Sequence, residues 1–290
     1  MTKSAKLGFY FVVLSIIALA QAAKAENARF IKLDFPGAKS TYAYGINPAG
    51  DIVGAYVDSA GKERGFVFRN SVFTTIDIPD AGWTECYGIT PEGDIAGQYW
   101  VPGDPDIHGF LLWQGDLYTV DVPDQPNTMP LGIGPGGTIA GCVHGGPDGM
   151  HGFVITVDGD SQLDPVVNAM HTGINASGEI TGYQANPGRP DSSYVISNGV
   201  RTEFTFPGST FTRARGIGPT GDIVGIYQDA ATKKFHGFLL HNGDMVSIDV
   251  DLPGTTLTRA FGINAVGDIV GYYQDETGFH GFLLTRRGPK

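Results

Sequence analysis

Gly45-Ile46-Asn47-Pro48-Ala49-Gly50-Asp51-Ile52-Val53-Gly54 returns near the end of the chain as Gly262-Ile263-Asn264-Ala265-Val266-Gly267-Asp268-Ile269-Val270-Gly271. Two decapeptides so alike and so far apart mark an internal repeat. The Gly-Ile pair occurs four more times between them, as Gly88-Ile89, Gly132-Ile133, Gly173-Ile174 and Gly216-Ile217, and the whole series is spaced by 43, 44, 41, 43 and 46 residues. After each pair come a turn and a second apolar stretch. Further on stands His-Gly-Phe, beginning at His108, His151, His236 and His280, with Arg64-Gly65-Phe66 and Ser192-Ser193-Tyr194 in the two divergent copies. An alternating stretch closes the unit, as in Phe73-Thr74-Thr75-Ile76-Asp77-Ile78, where Pro79 stops the extended run because it has no N–H to give to a ladder.

One period thus holds four short extended segments, which is the content of a four-stranded antiparallel meander. Periods of about 40 to 50 residues with four strands belong to propellers, whereas a β-helix coil is much shorter. An open solenoid needs atypical capping repeats, and neither end of this chain looks like a cap. The 43 Gly and 18 Pro punctuate many short strands, so helix should be scarce. The expected fold is therefore all-β: a six-bladed β-propeller of four-stranded antiparallel blades, closed by N- and C-terminal strands sharing one blade. The phase of the repeat predicts two N-terminal strands completing a blade begun by the last two. The Asp-Ile-Val-Gly strand is the expected innermost one, because its Gly (Gly54, Gly97, Gly141, Gly182, Gly225, Gly271) lets backbones converge.

The N-terminus carries Lys3 and Lys6, an apolar run from Leu7 to Ala20, and two A-x-A sites, Ala20-Gln21-Ala22 and Ala23-Lys24-Ala25. The run is shorter than the roughly 20 residues of a spanning helix, so residues 1–25 read as a cleaved signal peptide and 26–290 as one domain of six repeats. That predicts a periplasmic or extracellular protein with no stable membrane insertion after cleavage. The formal charge is −11, and losing Lys3, Lys6 and Lys24 with no acid makes it −14. An acidic chain without a basic run lacks the footprint of nucleic-acid binding. Cys86 and Cys142 fall at different repeat positions, which predicts two separate thiols.

The combination of Gly-Ile-Asn, Gly-Asp-Ile-Val-Gly and His-Gly-Phe over about residues 30–284 resembles the HAF family of bacterial extracellular repeat proteins. The resemblance implies export and repetition, without a settled activity. Arg64 and Ser192 depart from its His signature.

Repeated positions form rings in a propeller, so three rings are candidate sites. The acids opening the second apolar stretch, Asp51, Asp94, Glu179, Asp222 and Asp268 (Thr138 in the third copy), could hold Ca2+ or supply paired carboxyls, or simply complete hairpin turns. Tyr56, Tyr99, Tyr227 and Tyr273, with Val143 and Gln184 in the middle copies, could offer aromatic faces to a ligand or pack between blades. His108, His151, His236 and His280 read as structural latches to a neighbouring blade's backbone, since ligands of one metal ion must converge within about 2 Å of it. Apart from Ca2+, no cofactor is indicated. Arg213, Arg215 and Arg259 share one sector and could bind an anion or be plain solvated charge, and Asn175-Ala176-Ser177 is a glycosylation sequon in a repeat turn.

No nucleophile elbow, zinc-protease helix or phosphate loop is present. The first reading is a binding or interaction scaffold with a protein or carbohydrate partner at one mouth of the ring. The alternatives are a carbohydrate-active lyase or hydrolase using inner-ring carboxylates, and a purely structural surface protein.

Overall fold

The computed structural model describes residues 29–285, so the expected signal peptide lies outside the described residues. After β1 (Arg29–Leu33), the first meander runs β2 (Ser40–Ile46), β3 (Ile52–Val57), β4 (Glu63–Arg69) and β5 (Val72–Ile76), and the second β6 (Trp83–Ile89), β7 (Ile95–Trp100), β8 (Ile107–Trp113) and β9 (Asp116–Val120). The third comprises β10 (Thr128–Ile133), β11 (Ile139–Gly146), β12 (Gly149–Ile155) and β13 (Ser161–Leu163). The fourth comprises β14 (Ala169–Ile174), β15 (Ile180–Gln184), β16 (Ser192–Ser197) and β17 (Val200–Phe204). The fifth is β18 (Ser209–Ile217), β19 (Ile223–Asp229), β20 (Phe235–His241) and β21 (Asp244–Ile248), and the chain ends with β22 (Leu257–Ile263), β23 (Ile269–Asp275) and β24 (Gly278–Thr285). The molecule is a β-propeller of four-stranded antiparallel blades.

Local chemistry sets these hairpins. Between the third and fourth strands, Asn198-Gly199 and Asn242-Gly243 both take positive φ, the type I′ geometry whose twist matches the flanking strands. The aromatic of His-Gly-Phe then fills each blade: Phe66, Phe110, Phe153, Phe238, Phe282 and their counterpart Tyr194 are fully buried. Burying one such ring stabilises the fold by roughly 1.5–3 kcal/mol. Each lies on the glycine of its neighbouring strand. A methyl group on Gly54 would overlap the Tyr42 carbonyl and the Phe66 ring, which is why this position is glycine. Apolar clusters bridge successive meanders, as where Val53 packs with Ile78, Cys86, Ile89 and Phe110.

Three expectations need correction. Among the described residues the hydrogen-bonded sheets number four of four strands and one of eight, not six separate blades, because a parallel bridge, Phe235 to Leu257, joins β20 to β22. The shared blade closes with one N-terminal strand rather than two: β1 alone pairs with β24, from Arg29 opposite Thr285 to Leu33 opposite Gly281. The strand nearest the axis is the Gly-Ile strand, an edge of every meander, and not the Asp-Ile-Val-Gly strand, which lies second. Backbones converge at the other glycine: Gly88 abuts Gly132, Gly132 abuts Gly173, Gly173 abuts Gly216, Gly216 abuts Gly262, and Gly262 abuts Gly45. That last contact closes the ring.

Candidate functional site

Every axial strand carries a β-bulge at the same place. The register slips between Ala43 and Gly45, Cys86 and Gly88, Pro130 and Gly132, His171 and Gly173, Ala214 and Gly216, and Ala260 and Gly262. A bulge leaves one residue unpaired and re-aims it. The six residues so released, Tyr44, Tyr87, Leu131, Thr172, Arg215 and Phe261, together enclose a void of about 20 Å³ on the axis. They also line the bottom of a depression of about 140 Å³. Its walls are the isoleucines of the Gly-Ile pairs, Ile46, Ile89, Ile133, Ile174, Ile217 and Ile263, and its rim includes Pro48, Pro91, Pro135, Ala176 and Pro219.

Among the floor residues, Tyr44 and Tyr87 stack with centroids 4.5 Å apart, and Phe261 packs on Tyr44 at 5.1 Å. Burial pushes both tyrosine hydroxyls well above their ordinary range. Thr172 donates to the Ala214 carbonyl at 2.9 Å. Arg215 differs from its neighbours. Its guanidinium lies 5.2 Å from the Phe261 ring and 5.4 Å from Tyr183, its Nε is buried without a hydrogen-bond partner, and no described carboxylate is within salt-bridge reach. Arg213 is neutralised by Asp191 at 2.6 Å, and Arg259 donates to the Tyr272 hydroxyl at 2.9 Å, so the three arginines do not act as one cluster.

The sequence-predicted rings lie elsewhere: none of the candidate acids, tyrosines or histidines lines the depression. Each acid is held inside its own meander. Asp51 takes bonds from Asn47 and Arg69, Asp94 from the Gln114 backbone N–H, and Glu179 from Asn175 and Ser197. Asp222 pairs with His241 at 2.7 Å, and Asp268 accepts from Asn264 and Thr285. Only the bonds from Asn47, Asn175 and Asn264 lie within the turn itself, whereas Arg69, Gln114, Ser197, His241 and Thr285 reach the acids from another strand or turn of the same meander. No three His, Cys, Asp or Glu side chains are grouped for a metal among the described residues.

The tyrosines bond across their own blades, and Tyr56 and Tyr227 also pack between blades, on phenylalanines that follow the outer strand of the preceding blade. Tyr56 bonds Thr75 at 2.8 Å and stacks on Phe35, Tyr227 bonds Ser247 at 3.0 Å and stacks on Phe206, and Tyr99 contacts Thr119. Tyr273 packs edge-on against Phe30.

The histidine latch exists but its partner differs from the expected neighbouring backbone. His108 donates to Asp121 at 2.9 Å, His236 to Asp249 at 2.6 Å and His280 to Asp34 at 3.0 Å, each acid following the outer strand of the same blade. Arg64 makes the equivalent pair with Asp77, and His151 donates to the Asp164 carbonyl at 2.9 Å. The bond to a neighbour's backbone comes instead from the asparagine of Gly-Ile-Asn. Asn47 donates to the Thr90 carbonyl, Asn175 to Gly218 and Asn264 to Asn47, each at 3.2 Å. This use buries Asn175, so the sequon is occupied structurally.

Two acidic groups escaped sequence reasoning. Glu63 on β4 and Glu85 on β6 share a hydrogen bond between adjacent blades, and burial together with the Glu85 charge raises the Glu63 carboxyl to about 7. Glu85 is raised by burial and is held by Gln98 and Tyr87. They stand at different positions of the repeat, so no period reveals them. Cys86 and Cys142 are separate buried thiols, as expected, with burial pushing Cys142 up to about 12.

No family model matches the chain, and no curated protein matches it. Solved structures do. A protein assigned as TolB from Agrobacterium tumefaciens is 12% identical with a TM-score of 0.58, covering 84% of this chain and 89% of its own. A gluconolactonase of Xanthomonas campestris is 13% identical at a TM-score of 0.55, covering 92% and 93%. An arginine-substituted form of AofleA from Arthrobotrys oligospora is likewise 13% identical at 0.55, covering 90% and 89%. These likenesses show the β-propeller fold.

Proposed function

We propose that this chain is an exported binding scaffold: a six-bladed propeller, with the eight-stranded sheet counted as two blades, that takes a ligand or partner at the Ile-walled mouth of its axis. One observation carries the reading. The acids, tyrosines, histidines and asparagines that recur from copy to copy are consumed in hydrogen bonds within and between blades. The position facing the axis reads Tyr, Tyr, Leu, Thr, Arg and Phe, so the repeats differ where a ligand would be met and agree where the scaffold is built. Concave, mostly apolar sites with a few polar groups are the usual form of ligand pockets. The likeness to the HAF repeats and the signal-like N-terminus support export, and among the described residues no helix is long and apolar enough to cross a membrane.

Thermal unfolding against a panel of envelope sugars, organic acids and Ca2+ tests this, because a ligand binding the native state alone raises the melting temperature. The expected result is a shift that disappears in Ala176→Trp, which places a large side chain at the exposed rim of the depression. A shift that survives Ala176→Trp would put the binding surface elsewhere and overturn the reading.

A further inference from the structure

We infer that the depression binds a small organic carboxylate with an apolar body, its charge on Arg215 and its body among the six isoleucines. This inference rests on the axial mouth being the binding surface. Arg215 is a cation in the floor with no carboxylate of the described residues in salt-bridge reach and with a buried Nε that has no acceptor. The Nε is closed off, but the side chain lines the depression and no described carboxylate balances its charge, so an incoming carboxylate would supply the missing counter-charge. Guanidinium and carboxylate also match in fork geometry.

The floor's other polar groups do not compete for the charge. Thr172 is spent on a backbone carbonyl, Tyr87 donates to Glu85, and the Tyr44 ring is packed between Tyr87 and Phe261, so its hydroxyl carries no charge that could compete with the guanidinium. Phe261 and Leu131 complete the floor without polar atoms. The three asparagines that also line the depression are already bonded to a neighbouring repeat's carbonyl, so its isoleucine walls and proline-bearing rim favour an apolar body over a sugar's hydroxyls. Size sets the remaining limit. About 140 Å³ is the scale of a cavity that holds a benzene ring, so the fitting ligand has a body of roughly six heavy atoms.

Calorimetric titration of the full chain with benzoate and with its neutral isostere benzamide is the test. Benzoate should bind at least tenfold more tightly than benzamide. Arg215→Gln should lose that tenfold preference, Arg215→Lys should keep part of it, and Ala176→Trp should weaken both ligands. Thermal unfolding of each variant confirms that it is folded, and Ala176→Trp, at an exposed turn, leaves the core untouched if Arg215→Gln does not fold. Equal binding of benzoate and benzamide, undiminished benzoate binding by Arg215→Gln, or no benzoate binding overturns the inference. A sugar that binds in an Ala176→Trp-sensitive manner while benzoate does not would overturn the carboxylate assignment alone and leave the mouth as the binding surface.

Discussion

His280 Nδ1 lies 3.0 Å from a carboxylate oxygen of Asp34, across 246 residues of chain, and so ties the last strand to the segment that follows the first. The same His-Asp pair occurs within single stretches of chain at His108 and Asp121 and at His236 and Asp249. Only the closing copy joins the two ends. His280 also contacts Asp275 at 3.1 Å and is 10% exposed, against 23% for His108.

Asp34→Ala should therefore cost more stability than Asp121→Ala. The expected loss is about 1 kcal/mol for Asp34, discounted because its carboxylate faces solvent, and less for Asp121. Denaturant melts of the two variants check the order. Equal losses would mean that closure draws nothing from this latch.

The asparagine that joins blades should be the costlier deletion. Asn264 accepts from the Asp268 N–H inside its turn and donates to Asn47 of the neighbouring repeat, both buried. Asn264→Ala strands both partners, at about 2–4 kcal/mol. Thr90 occupies the same position in the second repeat and serves the Asp94 N–H through its hydroxyl. Asn264→Thr should thus keep the turn, lose the bond between blades, and cost about half as much.

The carboxyl shared by Glu63 and Glu85 gives a pH dependence of definite sign. The folded pKa of Glu63, about 7, stands above the ordinary 4.5, so between these values the folded chain holds a proton that the unfolded chain releases. Its stabilisation is complete below pH 4.5 and is lost as pH rises through 7. Glu63→Gln should flatten that part of the profile and raise the melting temperature at pH 8. A profile unchanged by the substitution would refute the shared proton.

His171 works in the opposite direction. Burial lowers it to about 4, against the ordinary 6.5, while its Nδ1 meets the Tyr194 hydroxyl at 2.8 Å. Its contribution is full above pH 6.5 and is lost as pH falls toward 4. A ring titrated by NMR should remain neutral at pH 5. Protonation above pH 6 would show that the pocket is more open than the structure has it.

Gly54→Ala should prevent normal folding of the first blade. The new methyl group would meet the Tyr42 carbonyl and the Phe66 ring in a packed interior, where overpacking costs about 1–3 kcal/mol or more. Circular dichroism and a melt of the purified variant decide it.

Most of the architecture was legible because a repeat states its own period. The Gly-Ile pair, the turn, His-Gly-Phe and the alternating strand gave the four-stranded unit, and the Pro and Gly spacing gave its limits. The candidate site was less legible for a physical reason. Repetition advertises what every blade needs, and what every blade needs is hydrogen bonding and packing. Asp51, Tyr56 and His108 recur because they hold a blade together. Leu131, Thr172 and Arg215 do not recur, so the repeat pattern hid them, although the mismatch before each Gly-Ile pair was in plain sight.

By itself the sequence determined an all-β chain of repeated meanders with its two ends in one blade, because strand period, turn residues and phase are local properties. Tertiary structure alone decided which strand faces the axis, how many strands each end lends to closure, and where the unpaired arginine stands. Those depend on a bulge that re-aims one residue per blade and on glycines meeting across the ring, contacts that exist only once the chain has closed.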